Sequence, residues 1–155
     1  MQPGAKISVQ EFSEIADQRL PFAQLMGLEL LELDQDSALM KASYRDEFLR
    51  PGGTIAGPVM MALADAALYA LVLGRIGPVE LAVTTSLNIN FLRKPMPGDL
   101  LARATGLKFG KRLVIGEISM FSASAPEEVV AHATATYSIP PAMACLLYTS
   151  PSPRD

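Results

Sequence analysis

Asp65 is the only charged residue between Arg50 and Arg75, and it stands among Met61, Ala62, Leu63, Ala64, Ala66 and Ala67. Burying a carboxylate without partners is costly and tends to raise its pKa. A carboxylate in such a run is either satisfied by a local structural hydrogen bond or put to chemical use. Just upstream stand Gly52–Gly53 and Gly57–Pro58. Glycines let a backbone approach a ligand closely, and the first N–H groups of a helix are unpaired and suited to an anion or a developing oxyanion. The structural alternative is a flexible loop followed by a helix started by proline.

The two features cannot meet within one chain. Gly57 and Asp65 are eight residues apart, or about 12 Å along a helix at ~1.5 Å per residue. If both act on one substrate atom, Asp65 of one chain must work with Gly57 of another. That arrangement implies a dimer with two composite sites.

Other polar residues have simpler default readings. The row Thr84, Ser86, Asn88 and Asn90 is by default the solvated face of a strand, although a hydroxyl near its start could position a water or a carboxylate. Arg93, Lys94, Lys108, Lys111 and Arg112 lie near turns, where they would form a solvated rim or hold the phosphates of a nucleotide-like substrate. His132, between Ala131 and Ala133, reads as structural.

The elements that must position these residues follow from periodicity. Val9–Gln18 has helical spacing, and Pro21 is expected to end that helix. Residues 27–34 and 37–44 alternate and form a hairpin, with a phase slip at Leu30–Leu31. A loop from Tyr44 to Gly53 leads into a helix, apolar almost all round, that Gly74 is expected to stop. Four strand-like runs follow, at 81–92, 100–109, 112–121 and 129–139, and their short connections suggest a meander. On the first run, Val83, Thr85, Leu87, Ile89 and Phe91 share one face. The predicted fold class is α+β: an antiparallel sheet of about six strands around one long central helix.

Composition narrows the function. The chain has 155 residues, half of them hydrophobic and 19% charged, which suits one folded domain. The expected organisation is an N-terminal helical segment over 1–19, the main domain over 20–141 and a flexible tail over 142–155. A net charge of −3 and the lack of tryptophan argue against a nucleic-acid partner. One cysteine and one histidine exclude a cysteine-built zinc site and a His-rich metal site. The run Thr54–Leu73 is long enough to span a bilayer, but Asp65, Gly57 and Pro58 favour a buried helix over a membrane partner. The polar start lacks a secretory apolar region, so a cytoplasmic protein is expected. The apolar surplus suggests surface covered by another subunit.

Together these residues resemble the hotdog-fold thioesterases, in particular the PaaI-like acyl-CoA thioesterases, over roughly residues 20 to 139. The family motif is His-Gly-Gly, four variable residues, Leu, any residue and Asp. It reads here as Ala56-Gly57-Pro58-Val59-Met60-Met61-Ala62-Leu63-Ala64-Asp65. The stretch Ala82–Pro95 is similar to the family's third strand and following turn. GDLLARA and GKRLVIGEI continue the pattern. The tail LLYTSPSPRD, which follows the lone Cys145, is similar to a read-through segment found at the ends of assembled metagenomic sequences, and is expected to be non-native.

The resemblance implies roles residue by residue. Asp65 matches the helix carboxylate that acts as general base or nucleophile. Gly57 matches the glycine whose N–H polarises the thioester carbonyl, and Thr84 matches a hydroxyl that positions the attacking water. Ala56 replaces the motif histidine and Pro58 the second glycine, while a loop asparagine of some members falls on Arg50. Arg50, Gly53, Ala56 and Pro58 are therefore expected to line the substrate, with Arg93, Lys94, Lys108, Lys111 and Arg112 meeting the CoA phosphates. The implied reaction is hydrolysis of an acyl-CoA, or aryl-acyl-CoA, between two subunits of a homodimer or of a tetramer built from two dimers. It needs no metal or redox cofactor, since CoA is part of the substrate. The alternatives are a non-catalytic module that binds or senses acyl-CoA, favoured by the altered motif positions, and a dehydratase, disfavoured by alanine at position 56.

Overall fold

The apolar run after Ala56 forms one 20-residue helix, Gly57–Ile76, against which the rest of the chain is built. The computed structural model describes residues 4–141, so the tail and Cys145 lie outside the described residues. In chain order the elements are α1 (Val9–Arg19), α2 (Pro21–Met26), β1 (Leu28–Leu33), β2 (Ser37–Ala42), a short 3-10 turn at Asp46–Phe48, β3 (Leu49–Arg50), β4 (Thr54–Ile55), α3 (Gly57–Ile76), β5 (Val83–Phe91), β6 (Leu100–Phe109), β7 (Leu113–Ser122) and β8 (Val129–Ser138). Six strands form one antiparallel sheet in the order β1-β2-β6-β7-β8-β5, and β3 pairs with β4 in a small separate ribbon.

Small residues bring the sheet and helix together. Ala38, Ala102, Ala104, Ala131 and Ala133 are fully buried, as are Leu63, Leu68, Leu71 and Leu73 of α3. Gly116 lies directly under Leu68, where an added Cβ would stand 2.6 Å from Leu68 Cδ1. The alanine row therefore fills the floor beneath the leucines without pushing the helix away.

The expected fold class holds, and several local expectations are corrected. Gly74 does not stop α3. The helix runs to Ile76, and Gly77, with φ of 118°, ends it. Gly74 is instead a packing position, since a Cβ there would meet Leu33 Cδ1 at 2.7 Å. Pro21 does not end α1 directly; α1 stops at Arg19, and Pro21 opens α2 at a position where its missing N–H costs nothing. β5 is not in a meander with β6, although β6, β7 and β8 are. The chain leaving β5 passes β8 and β7 to reach β6 in the interior of the sheet, and β5 pairs with β8 as an edge strand. The phase slip at Leu30–Leu31 appears as an irregularity in the β1–β2 register between Leu30 and Glu32.

The helix is also not enclosed all round. Val59, Met60, Leu63, Ala64 and the residues from Ala67 to Gly74 are buried. Pro58 and Met61 are exposed, and Ala62, Asp65 and Ala66 are half-buried. These five recur at the three- and four-residue spacing of one helical stripe, which this single chain leaves uncovered.

Candidate active site

Asp65 lies midway along α3, and two strands that are distant in sequence reach it. Thr84 Oγ1 of β5 donates to Asp65 Oδ1 at 2.5 Å, and Tyr137 Oη of β8 donates to the same oxygen at 2.8 Å. Tyr137 Oη also lies 3.1 Å from the Asp65 carbonyl oxygen. Among the described residues no donor is paired with Asp65 Oδ2. Burial, reinforced by the Asp65 carboxylate, pushes the Tyr137 phenol well above the usual tyrosine range, so it stays a donor.

Thr84 reaches Asp65 because β5 is irregular. Thr84 pairs with Tyr137 and Ser86 with Thr136, with a register shift between Thr84 and Ser86. Residues opposite each other on adjacent strands point to the same side. Leu87, Ile89 and Phe91 oppose Ala135, Ala133 and Ala131, which are buried on the inner face. Thr84 therefore shares the inner face with Leu87, Ile89 and Phe91. Strict alternation places it on the other face, with Ser86 and Asn88. The extra residue in the bulge is the physical reason for the difference.

Asp65 borders a pocket of about 460 Å³. Ala62, Ala66, Tyr69, Val83, Thr84 and Tyr137 line it, and the α1–α2 junction from Arg19 to Ala23 closes one side with Glu80 nearby. Tyr69 Oη donates to the Glu80 carbonyl at 3.0 Å, and its phenol is pushed up to about 12 by burial and then by the Glu80 charge. Arg19 Nε lies 3.5 Å from Glu80 Oε1. The pocket is thus mainly apolar; of its two carboxylates, Glu80 is paired with Arg19, and Asp65 has no donor on Oδ2 among the described residues.

Gly57 borders a different, smaller cleft of about 210 Å³, which shares no lining residue with the Asp65 pocket. Arg50, Arg93 and Lys94 line this cleft with Phe91 and Met60. As the first residue of α3, Gly57 has an N–H outside the helical hydrogen-bond ladder. Ala56 is the N-cap and makes no side-chain hydrogen bond there, since it carries no polar atom. Pro58 borders a third cavity of about 410 Å³, together with Phe22, Leu25 and Phe48. Gly52 and Gly53 form the tip between β3 and β4, with φ of 98° and 76°, a left-handed conformation that glycine adopts at no steric cost.

Within one chain the basic residues fall into two groups. The Arg93 N–H donates to Val130 at the start of β8, whereas Arg112 accepts from Ile139 beyond its end. Val129–Ser138 spans roughly 30 Å at about 3.4 Å per residue. Arg50, Arg93 and Lys94 therefore gather at Gly57, while Lys108, Lys111 and Arg112 lie around the β6–β7 turn at the other end. His132 is on the face away from α3 and lies 3.1 Å from Glu117 Oε2, which agrees with its structural reading.

Sequence reading missed Tyr137 and Tyr69. The signal for Tyr137 was present: it continues the row Ala131, Ala133 and Ala135, and a tyrosine in a buried alanine row needs a polar partner for its hydroxyl.

A six-stranded antiparallel sheet wrapped on one long helix, with a carboxylate on the helix's open stripe, defines a hotdog fold. The thioesterase superfamily model matches residues 52–129, and the chain belongs to that superfamily. Among solved structures, it is similar to a protein of Silicibacter sp. TM1040 provisionally described as a thioesterase. The two are 41% identical, the match covers 88% of this chain and 94% of that one, and the TM-score is 0.79. A mutant of the phenylacetic acid degradation protein PaaI from Thermus thermophilus matches with 28% identity, coverage of 76% and 97%, and a TM-score of 0.67. A provisionally described esterase of Saccharolobus solfataricus is 30% identical over 116 residues, which is 74% of this chain and 75% of that one.

Proposed function

We propose that the protein hydrolyses an acyl-CoA thioester to a free acid and CoA, at a site formed by Asp65 of one subunit and Gly57 of the partner subunit. The observation that carries this reading is the Asp65 carboxylate, held through Oδ1 by two hydroxyls and bordering an apolar pocket. In the proposed reaction, Asp65 takes a proton from water as the water oxygen adds to the thioester carbonyl, and collapse then breaks the C–S bond while the proton passes from Asp65 to the departing CoA sulfur. In the covalent variant, Asp65 itself adds to the carbonyl, the C–S bond breaks to release CoA thiolate and leave an acyl–Asp65 anhydride, and water then cleaves that anhydride to the free acid and restores Asp65. In either route the Gly57 N–H stabilises the oxyanion. Thr84 orients Asp65, and its oxygen can also accept a hydrogen bond from the attacking water.

The composite site is supported by the layout of β5. Asp65 is bonded to Thr84 near the start of β5, and Gly57 lies against Phe91 at its end, where an added Cβ would be 3.3 Å from the ring. The outer edge of β5 has no strand beside it among the described residues, and Val83 and Phe91 are 56% and 49% exposed. An antiparallel, two-fold pairing of β5 with its copy would bring the Thr84 end of one subunit to the Phe91 end of the other. It would also cover the open stripe of α3. The same pairing would bring Lys108, Lys111 and Arg112 of one subunit toward the partner's Arg50, Arg93 and Lys94, where both groups could meet the CoA phosphates.

The test is thiol release from a panel of acyl-CoAs, with wild type, Asp65→Asn and Asp65→Ala compared at matched dimer content. The reading expects release by wild type and loss of about a thousandfold or more in both variants. An Asp65→Ala protein as active as wild type would refute the role of Asp65. If wild type binds CoA esters and cleaves none, the binding-module alternative takes over.

A further inference from the structure

We propose that Tyr137 is a positioning residue that commits Oδ1 of Asp65 to the protein and leaves Oδ2 as the working oxygen. This rests on the hydrolytic reading of the same site. Two hydroxyls from separate strands converge on Oδ1, and no donor among the described residues is paired with Oδ2. A carboxylate on a single rotatable bond would otherwise present either oxygen to the pocket. Two donors on one oxygen set the plane of the group and direct the second oxygen.

Tyr137 is the fixed member of the pair. It is buried, and its ring lies 5.9 Å from that of Tyr69, which in turn meets Phe12 edge-on at 6.2 Å. Tyr69 is tied through its own hydroxyl to the Glu80 carbonyl. The Tyr137 hydroxyl therefore has little freedom to leave Asp65. Thr84, by contrast, stands on the exposed edge strand.

The other polar groups around the pocket are engaged with one another: Tyr69 Oη donates to the Glu80 carbonyl, and Arg19 Nε lies 3.5 Å from the Glu80 carboxylate. Thr84 and Tyr137 are thus the groups that hold Asp65, and Tyr137 is the buried one of the two.

The experiment compares the Asp65 carboxylate stretches in wild type and in Tyr137→Phe, which keeps the ring, by infrared spectroscopy of protein carrying 13C-labelled aspartate, with the Asp65 band assigned by its loss in Asp65→Asn. Unequal hydrogen bonding of the two oxygens sets the splitting between the symmetric and antisymmetric stretches, so the splitting should change in Tyr137→Phe, while kcat falls about tenfold and KM changes little. An unchanged Asp65 band in folded Tyr137→Phe overturns the proposal, as does a wild-type kcat. If Tyr137→Phe does not fold, 3-fluorotyrosine placed at position 137 supplies a stronger donor of nearly the same size. The splitting should then shift the opposite way, and a static band overturns the proposal. Because the spectrum needs no turnover, a wild type that releases no thiol would sink the hydrolytic reading without deciding the role of Tyr137.

Discussion

Thr84 Oγ1 lies 2.5 Å from Asp65 Oδ1, which joins the edge strand β5 to the middle of α3. The contact exists because a bulge turns Thr84 to the inner face of the sheet. A hydrogen bond to a charged group is worth roughly 1.5–3 kcal/mol. Thr84→Val keeps the branched shape and removes the donor, so kcat for thioester cleavage should fall about tenfold to a hundredfold. Thr84→Ser should retain most of the rate. Wild-type turnover by Thr84→Val would show that the contact serves only packing.

Gly57 and Asp65 border separate cavities in one chain, so mixed subunits provide a direct test of the composite site. Gly57→Pro removes the N–H at a helix position that tolerates proline, and the preceding Ala56 is already extended at φ −67° and ψ 143°. Gly57→Pro and Asp65→Asn should each be inactive alone. Random reassociation of the two makes half the dimers mixed, each with one intact site, so about a quarter of wild-type activity should return. No recovery in verified mixed dimers would show that the two residues do not act across subunits.

Gly116 is under similar constraint for a structural reason. A Cβ there would lie 2.6 Å from Leu68 Cδ1 and 3.0 Å from the Thr105 carbonyl oxygen. Leu68 is fully buried and has no space to retreat into. Gly116→Ala should destabilise the fold by about 1–3 kcal/mol, the usual cost of overpacking. Urea unfolding checks this, and a midpoint equal to wild type would mean that the helix lifts from the sheet at no cost.

Asp34 anchors the β1–β2 turn by accepting from the N–H groups of Asp36 at 2.7 Å and Ser37 at 2.8 Å. The Asp36 N–H, with further help from Ser37, holds its carboxyl below the ordinary value of 3.8. A depressed carboxylate adds stability above its unfolded pKa and loses it as pH falls through the folded value. Asp34→Ala should therefore be less stable than wild type at pH 7, with the gap closing as pH falls below about 4. A gap that persists to pH 2 would assign the effect to something other than the ionised turn.

Much of the site was legible from local spacing. A lone carboxylate in an apolar helix, a glycine at that helix's start and the estimate of about 12 Å between them need only helix geometry. The irregularity at Leu30 was visible as a broken alternation, because alternation is a property of adjacent residues. What required the tertiary structure was every choice of partner. The loop after β5 does not say that β5 crosses to β8, since strand pairing is decided by which edge remains free once β6, β7 and β8 have packed. The bulge that turns Thr84 inward belongs to that pairing and exists only with it. Tyr137 reaches Asp65 across 72 residues of chain. Residue types and local periodicity determined which groups could do chemistry; long-range register decided which oxygen of Asp65 the two hydroxyls hold.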